Sequence, residues 1–270
     1  MRTPPVVLSI AGYDPSSGAG ITADIKTAAS LGCYAVTCLT AVTVQSTQGV
    51  FEVQALDPEL ISRILQTLLG DLTISAVRIG MLGSCRAAGA VRSFLDSQRP
   101  AHVVLDPVLQ SSSGTPLLDK QGLAVLQAML PLCEVITPNI AEAAALVGAE
   151  PPADNSDWAT ALPQIRHLAA ALHHLGAQAV VLTGGHLQPA NDYLSRRRTG
   201  AAEEEIIPGE RIQSRSTHGT GCAFAAALAC RLALGDELAE AARAAKEYVR
   251  KAILSAYPLG KGTGPVNHFG

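Results

Sequence analysis

Apolar, β-rich runs alternate with helical patterns along almost the whole chain, and that alternation leaves few folds open. Val6-Val7-Leu8-Ser9-Ile10 is followed by a glycine-rich turn and a helical pattern to about residue 31. Residues 34–44 read as a second strand, 58–69 as a helix and 76–80 as a strand. The pattern continues with a helix over 86–97, a strand over 102–106, a helix over 120–130 and a strand over 134–137. A short helix after Asn139, a longer one over 158–175 and a strand over 179–183 follow. Such alternation predicts an α/β fold with a mostly parallel sheet and helices on both faces. Residues 191–214, with Arg196, Arg197, Arg198 and Glu203, Glu204, Glu205, read instead as an exposed antiparallel hairpin whose charge runs are solvated. No linker or internal repeat interrupts the series, so one domain over residues 1–270 is the simplest account, long enough to bury a sizeable core.

In open α/β sheets, ligands bind beyond the carboxyl ends of the strands. The unusual residues fall there. Asp106-Pro107-Val108 ends one strand, Thr137-Pro138-Asn139 the next, and Thr183-Gly184-Gly185-His186 a third. The first strand runs into Ala11-Gly12-Tyr13-Asp14-Pro15-Ser16-Ser17-Gly18-Ala19-Gly20, whose glycines allow close backbone approach. Each alone is an ordinary strand-ending turn; four on one rim point to a site.

A fifth stretch, Ser216-Thr217-His218-Gly219-Thr220-Gly221-Cys222, opens the small, apolar run FAAALAC. A Gly-x-Gly turn at a helix start leaves backbone N–H groups free, and the helix dipole adds positive potential, so the place suits an anion such as a transferring phosphoryl group. The same field should lower the pKa of the Cys222 thiol. The stretch equally fits a plain turn ahead of a buried small-residue helix with a core cysteine.

Composition removes several classes of function. Hydrophobic residues make up 48% and charged residues 16%, which argues against disorder, and a net charge of -3 supplies no basic footprint for nucleic acid. No apolar run is long enough to span a bilayer, and Met1-Arg2-Thr3-Pro4-Pro5 carries no signal-peptide pattern, so a cytoplasmic location is expected. Cys33, Cys38, Cys85, Cys133, Cys222 and Cys230 are scattered without C-x-x-C or paired histidines, which fits neither a metal cluster nor a disulfide framework. Only Cys222 stands in a suspicious setting.

Taken together, AGYDPSSGAGITADIKT, RIGMLG, VVLDPV, ITPNIAEAAAL, LTGGH, STHGTGC and the terminal GKGTGPVNHF resemble the hydroxymethylpyrimidine and hydroxymethylpyrimidine-phosphate kinases of thiamine biosynthesis, which have the ribokinase-like fold. The motifs run in order from near residue 8 to residue 268. The resemblance implies ATP- and Mg²⁺-dependent phosphorylation of 4-amino-5-hydroxymethyl-2-methylpyrimidine and of its monophosphate. It implies Cys222 as the base, where related sugar kinases carry Asp, with Gly219, Thr220 and Gly221 holding the moving phosphoryl group. Asp106 and Glu142 match metal-organising positions, and Asn139 and Thr183 nucleotide-side positions. Asp24 and Gln45 are the implied pyrimidine-reading residues, with Gly12, Met81 and Val108 as walls. Relatives commonly have Lys before Gly-Gly-His; this chain has Thr183, which keeps a hydrogen bond and loses a cation. Lys246, on a late helix, cannot be assigned as a substitute from sequence. His186, His218 and His268 read as structural hydrogen bonders. The implied partners are a pyrimidine alcohol and ATP, without nucleic acid or membrane, with a homodimer as the assembly to test. Pyridoxal kinase on the same scaffold, or a pyrimidine-binding protein without turnover, are the alternatives.

Overall fold

The computed structural model describes residues 3–111, 114–153, 156–197 and 202–270. Nine strands form one sheet in the order β3-β2-β1-β4-β5-β6-β7-β8-β9. Its centre is parallel: β1 (Val6–Tyr13) lies between β2 (Tyr34–Ser46) and β4 (Ala76–Ile79), and β5 (Val103–Leu105), β6 (Val135–Ile136) and β7 (Ala179–Thr183) continue the run. Both margins are antiparallel, with β3 (Gly49–Ala55) on β2 at one edge and β8 (Asp192–Arg196) then β9 (Glu203–Ile207) at the other.

Side-chain alternation along the central strands divides the core into two layers. Leu8, Ile10, Val77, Ile79 and Leu105 face one way, against α2 (Pro58–Asp71), α3 (Cys85–Gln98), α4 (Lys120–Met129), α5 (Ile140–Val147) and α6 (Trp158–His174). Val7, Ala76, Val104, Val135 and Val181 face the other way, against α1 (Gly20–Ser30), α7 (Thr220–Ala233) and α8 (Leu238–Leu254). The small residues of α7 let it lie close on the sheet: Ala223, Ala225, Ala226, Ala227 and Ala229 are all buried. Side-chain caps start α2 (Asp57), α3 (Ser84), α4 (Asp119), α5 (Asn139) and α6 (Asp157). Neither α1 nor α7, which open on the same cleft, has one.

The antiparallel pair expected over 191–214 is present as β8 and β9, but it is not exposed as a whole. Asp192, Tyr193, Leu194 and Ser195 are buried, because β8 sits between β7 and β9 rather than beyond the sheet. Glu204 and Glu205 pair with Arg166 and Arg243; Arg198 lies outside the described residues. Strand β3 is an element the alternation did not predict.

Candidate active site

The carboxyl ends of the parallel strands open into a cleft of about 1170 Å³. Its wall includes Gly12, Gln45, Met81, Asp106, Val108, Asn139, Glu142, Thr183, Gly219, Thr220, Gly221 and Cys222, so all but one of the candidate site residues meet there. A short ladder contact joins Asn139 to Thr183, which brings the ends of β6 and β7 side by side. A Cβ at Gly12 would come 2.9 Å from the Met81 sulfur, so a side chain there would displace Met81 from its place on the wall.

Helix α7 begins at Gly219, which has φ +85° and no room for a Cβ: one would lie 1.9 Å from the Gly18 carbonyl oxygen. The turn therefore packs on the loop after β1. The Thr220 N–H turns back to the Thr217 carbonyl at 3.4 Å, while those of Gly221 and Cys222 find no acceptor among the described residues. Two free amides with the helix dipole behind them are the donors an anion would need.

Asp24 is the exception, and the expectation that it reads a ligand is corrected. It is 2% exposed and absent from the cleft wall. Ser9 on β1 and Arg78 on β4 are register neighbours pointing to the same side of the sheet, and α1 lowers Asp24 onto them. Ser9 Oγ donates to Asp24 Oδ2 at 2.5 Å, and Arg78 Nη1 donates to the same oxygen at 3.0 Å. Arg78 Nη2 reaches Asp106 Oδ2 at 2.6 Å, and the guanidinium also meets the Cys222 thiol. Arg78 is fully buried, and its Nε and Asp24 Oδ1 have no hydrogen-bond partner among the described residues. It is the functional residue that sequence reasoning missed. A charged residue in the apolar run AVRIG was its signal.

This cluster also corrects the expectation for Cys222. The thiol is pushed up to about 11: burial dominates, Arg78 pulls the other way, and the negative charges of Asp106 and Asp24 add to the rise. The helix field is outweighed, and the resting group is a neutral thiol. Asp24 is likewise pushed up to about 6, by burial first, because one guanidinium serves two carboxylates.

Asn139 and Glu142 form a reciprocal capping box at the start of α5, with Glu142 N–H donating to Asn139 Oδ1 at 2.8 Å and Asn139 N–H to Glu142 Oε2 at 2.9 Å. Burial, then the charge of Asp106, pushes the Glu142 carboxyl up to about 8, against the Asn139 and Leu109 amides. Among the described residues no group of three or more His, Cys, Asp or Glu forms a metal cage. Two hard carboxylates that raise one another's energy in a water-accessible cleft do fit a cation held largely through water.

Thr183 sits opposite Asp192 on β8, and Asp192 holds Lys246 of α8 at 2.8 Å, with Lys246 also donating to the Ala190 carbonyl at 2.8 Å. All three line the cleft. A cation therefore stands on the wall where Thr183 supplies none.

The histidines divide. His268 is buried, pushed down to about 4 by that burial, and bonds Thr27 and Tyr248. His186 lines the cleft. His218 bonds Asp14 Oδ2 at 2.8 Å. Asp14 also accepts from the Ser16, Gly18 and Ala19 amides. Burial alone would raise the Asp14 carboxyl, but hydrogen bonds from His218 and Ser16 hold it below the usual range.

A family model described as phosphomethylpyrimidine kinase matches residues 14–267. The thiamine biosynthesis bifunctional protein ThiED of Geobacter sulfurreducens is 42% identical over 97% of this chain and 52% of its own, so the chain spans about half the length of that relative. The hydroxymethylpyrimidine/phosphomethylpyrimidine kinase of Rhizobium meliloti is 39% identical over 98% of this chain and 97% of its own. Among solved structures, the ADP complex of Bacillus subtilis pyridoxal kinase superposes with a TM-score of 0.86 at 32% identity, covering 98% of each chain.

Proposed function

Because the chain belongs to the phosphomethylpyrimidine kinase family, we propose that it transfers the γ-phosphoryl group of ATP to 4-amino-5-hydroxymethyl-2-methylpyrimidine and then to the resulting monophosphate. The observation that carries the reading is the uncapped start of α7. It places the free Gly221 and Cys222 amides and the Cys222 thiol on one wall of the cleft that Gln45 also lines. Phosphoryl transfer needs alignment and stabilised charge more than covalent chemistry, and that arrangement supplies both.

The two amides hold the equatorial oxygens of the moving group from a frame that needs no rearrangement. Cys222 accepts the proton of the substrate alcohol as a thiolate, formed once the resting thiol has released its own proton to water in the cleft; burial opposes that thiolate and Arg78 favours it. Arg78 also fixes one oxygen of Asp106. Asp106 and Glu142 would hold Mg²⁺, directly or through water, and the ion would offset charge on the phosphate oxygens. Asn139 orients Glu142 through the capping box, and Lys246 with Thr183 faces the nucleotide phosphates. Gln45, Gly12, Met81 and Val108 receive the pyrimidine ring. Lys246 also weakens the case for a binding protein without turnover, which depended on a missing cation at position 183.

Pyridoxal kinase is the second reading, favoured by the likeness to the Bacillus subtilis enzyme. A product assay by mass spectrometry with the pyrimidine alcohol, its monophosphate and pyridoxal separates the readings. Pyrophosphate product from the pyrimidine series is expected. Turnover of pyridoxal alone would reverse the assignment.

A further inference from the structure

His218 stands between two elements of the cleft, and phosphoryl transfer as described makes no use of it. Its backbone is fixed by the C-terminal segment, with its N–H donating to Gly264 O at 2.9 Å and its carbonyl accepting from Val266 N at 3.3 Å. Its ring packs so closely on the loop after β1 that a Cβ at Gly18 would lie 2.3 Å from His218 Cδ2. Nε2 then meets two groups, Asp14 Oδ2 at 2.8 Å and the Gln45 carboxamide at 3.2 Å. Gln45 comes within reach because the β2–β3 ladder shifts register between Val44 and Gln45, which re-aims the side chain. The far end of its amide lies 3.0 Å from Thr43 Oγ1, which is also 3.1 Å from the Tyr13 carbonyl.

Proton accounting fixes this network. A ring nitrogen carries a proton or a lone pair, never both, and the Asp14 carboxylate can only accept, so His218 Nε2 donates. It cannot then accept from an amide N–H. Thr43 has one hydroxyl proton and two oxygens within reach of it, Gln45 Oε1 at 3.0 Å and the Tyr13 carbonyl at 3.1 Å. With the Gln45 nitrogen toward His218, two donors face each other at one end and two acceptors compete for the Thr43 proton at the other. Turning the amide end for end moves no heavy-atom position and satisfies every partner. The Gln45 carbonyl then shares the His218 proton with Asp14, and its nitrogen donates to Thr43. One N–H and one carbonyl lone pair remain, side by side on the outer edge of the amide. That pair complements a ring nitrogen beside an exocyclic amine.

We propose that His218 is a positioning residue that, together with Thr43, locks the Gln45 amide in this orientation and thereby selects an aminopyrimidine over a ring without the amino group. The proposal rests on the reading that Gln45 meets the pyrimidine.

The test is steady-state kinetics on the aminopyrimidine alcohol and on the same ring with hydrogen in place of the amino group. The variants are Gln45→Leu, His218→Leu, His218→Gln and the Gln45→Leu/His218→Leu pair. His218→Leu should raise KM for the amino ring about tenfold, the scale of one lost buried hydrogen bond, with kcat and the KM of the other ring little changed. His218→Gln places an amide N–H near the position of Nε2 and should recover most of the loss. The double variant should be no worse than Gln45→Leu alone, since the two residues act through one contact. Equal losses on both rings, or additive losses in the pair, would overturn the positioning role. An unchanged KM in Gln45→Leu would sink the underlying reading of Gln45; a loss there with none in His218→Leu sinks the positioning role alone. Should His218→Leu fail to fold, Thr43→Val removes the other anchor of the amide and must show the same discrimination between rings.

Discussion

Replacing Arg78 by methionine keeps most of the side-chain volume and removes the one cation shared by Asp24 and Asp106. Both contacts are short, at 3.0 and 2.6 Å, and all three side chains are at least nine-tenths buried. Breaking such a cluster from one side leaves charge without compensation, typically at a cost of about 3–5 kcal/mol. Protonation limits that loss. Asp24 already titrates at about 6 with Arg78 in place, so neutralising it at pH 7.5 costs at most about 2 kcal/mol at 1.36 kcal/mol per pH unit, and less once the guanidinium is gone. Asp106 is raised too, by burial against the pull of Arg78, and must supply the rest. The sign follows. Without the guanidinium both carboxyls titrate higher in the folded state than in the unfolded one. The folded variant then holds more protons, and its stability falls as pH rises toward the folded pKa. The deficit should be largest at pH 7.5 and smaller at pH 5.5, by up to about 2 kcal/mol from Asp24 after the wild type's own titration near 6 is subtracted, with Asp106 acting in the same direction. Urea unfolding of wild type, Arg78→Met and Arg78→Lys at the two pH values measures this. The lysine variant keeps the charge but has no fork to hold two carboxylates, so it should fall between the others. A deficit under about 1 kcal/mol, or one independent of pH, would show that the cluster does not depend on Arg78.

Cys222→Ala should cut turnover about 100- to 10,000-fold, the usual cost of a lost general base, while pyrimidine binding persists; near-normal turnover removes the thiol from the mechanism. Gly219→Ala forces a Cβ to 1.9 Å from the Gly18 carbonyl at φ +85°, so a lower melting temperature and loss of activity are expected, and a fully active variant would contradict the packing described. Lys246→Met should weaken binding of a nonhydrolysable ATP analogue in calorimetry at fixed Mg²⁺. Thr183→Lys should then tighten it by less than a full charge-assisted hydrogen bond of about 1.5–3 kcal/mol, and the full gain would mean that Lys246 does not serve the phosphates. Glu142 titrates near 8 in the metal-free protein, above its ordinary 4.5, so its contribution to stability declines as pH rises through that range. Mg²⁺ should therefore raise the melting temperature more at pH 8.5 than at pH 6, and equal shifts would argue against Glu142 as a cation site.

The strands and helices of the centre were legible because buried parallel strands are short apolar runs and their covering helices are periodic. Strand β3 was not: GVFEVQA is a half-exposed edge strand behind a polar turn, and its short alternation of Phe51, Val53 and Ala55 marks no buried face, since Phe51 is 70% exposed. The burial of β8 escaped for the opposite reason, since its charged ends mask a middle that another strand covers. Most of the site was legible because strand ends place residues on one rim whatever the details of packing. Asp24 is the counterexample. A residue in the first turns of a helix can face cleft or sheet, and only the docking angle of α1 decides which. Nor does sequence give the sign of the Cys222 shift, because the helix field favours the thiolate and burial opposes it. The structure makes burial the larger effect.

The charges around the cleft follow a pattern that none of these residues shows alone. Arg78 compensates one of the two buried carboxylates it touches, and Glu142 is pressed toward neutrality by burial and by Asp106. Positive potential comes from the Gly221 and Cys222 amides and from Lys246, whose charge Asp192 already partly answers. The cleft thus has negative charge in excess where a cation is proposed and unpaired donors where a polyphosphate is proposed. A divalent ion bound alone would leave the donors unanswered, and a polyphosphate bound alone would meet the negative charge of Asp106 and Glu142 in the same cleft. Each ligand removes the repulsion or vacancy that opposes the other, so their affinities must be coupled reciprocally. A metal-nucleotide complex entering as one unit meets both demands at once. The same neutralisation would remove the share of the Cys222 rise that comes from Asp106, leaving burial as the larger share, and so ties proton acceptance in part to the arrival of the phosphoryl donor.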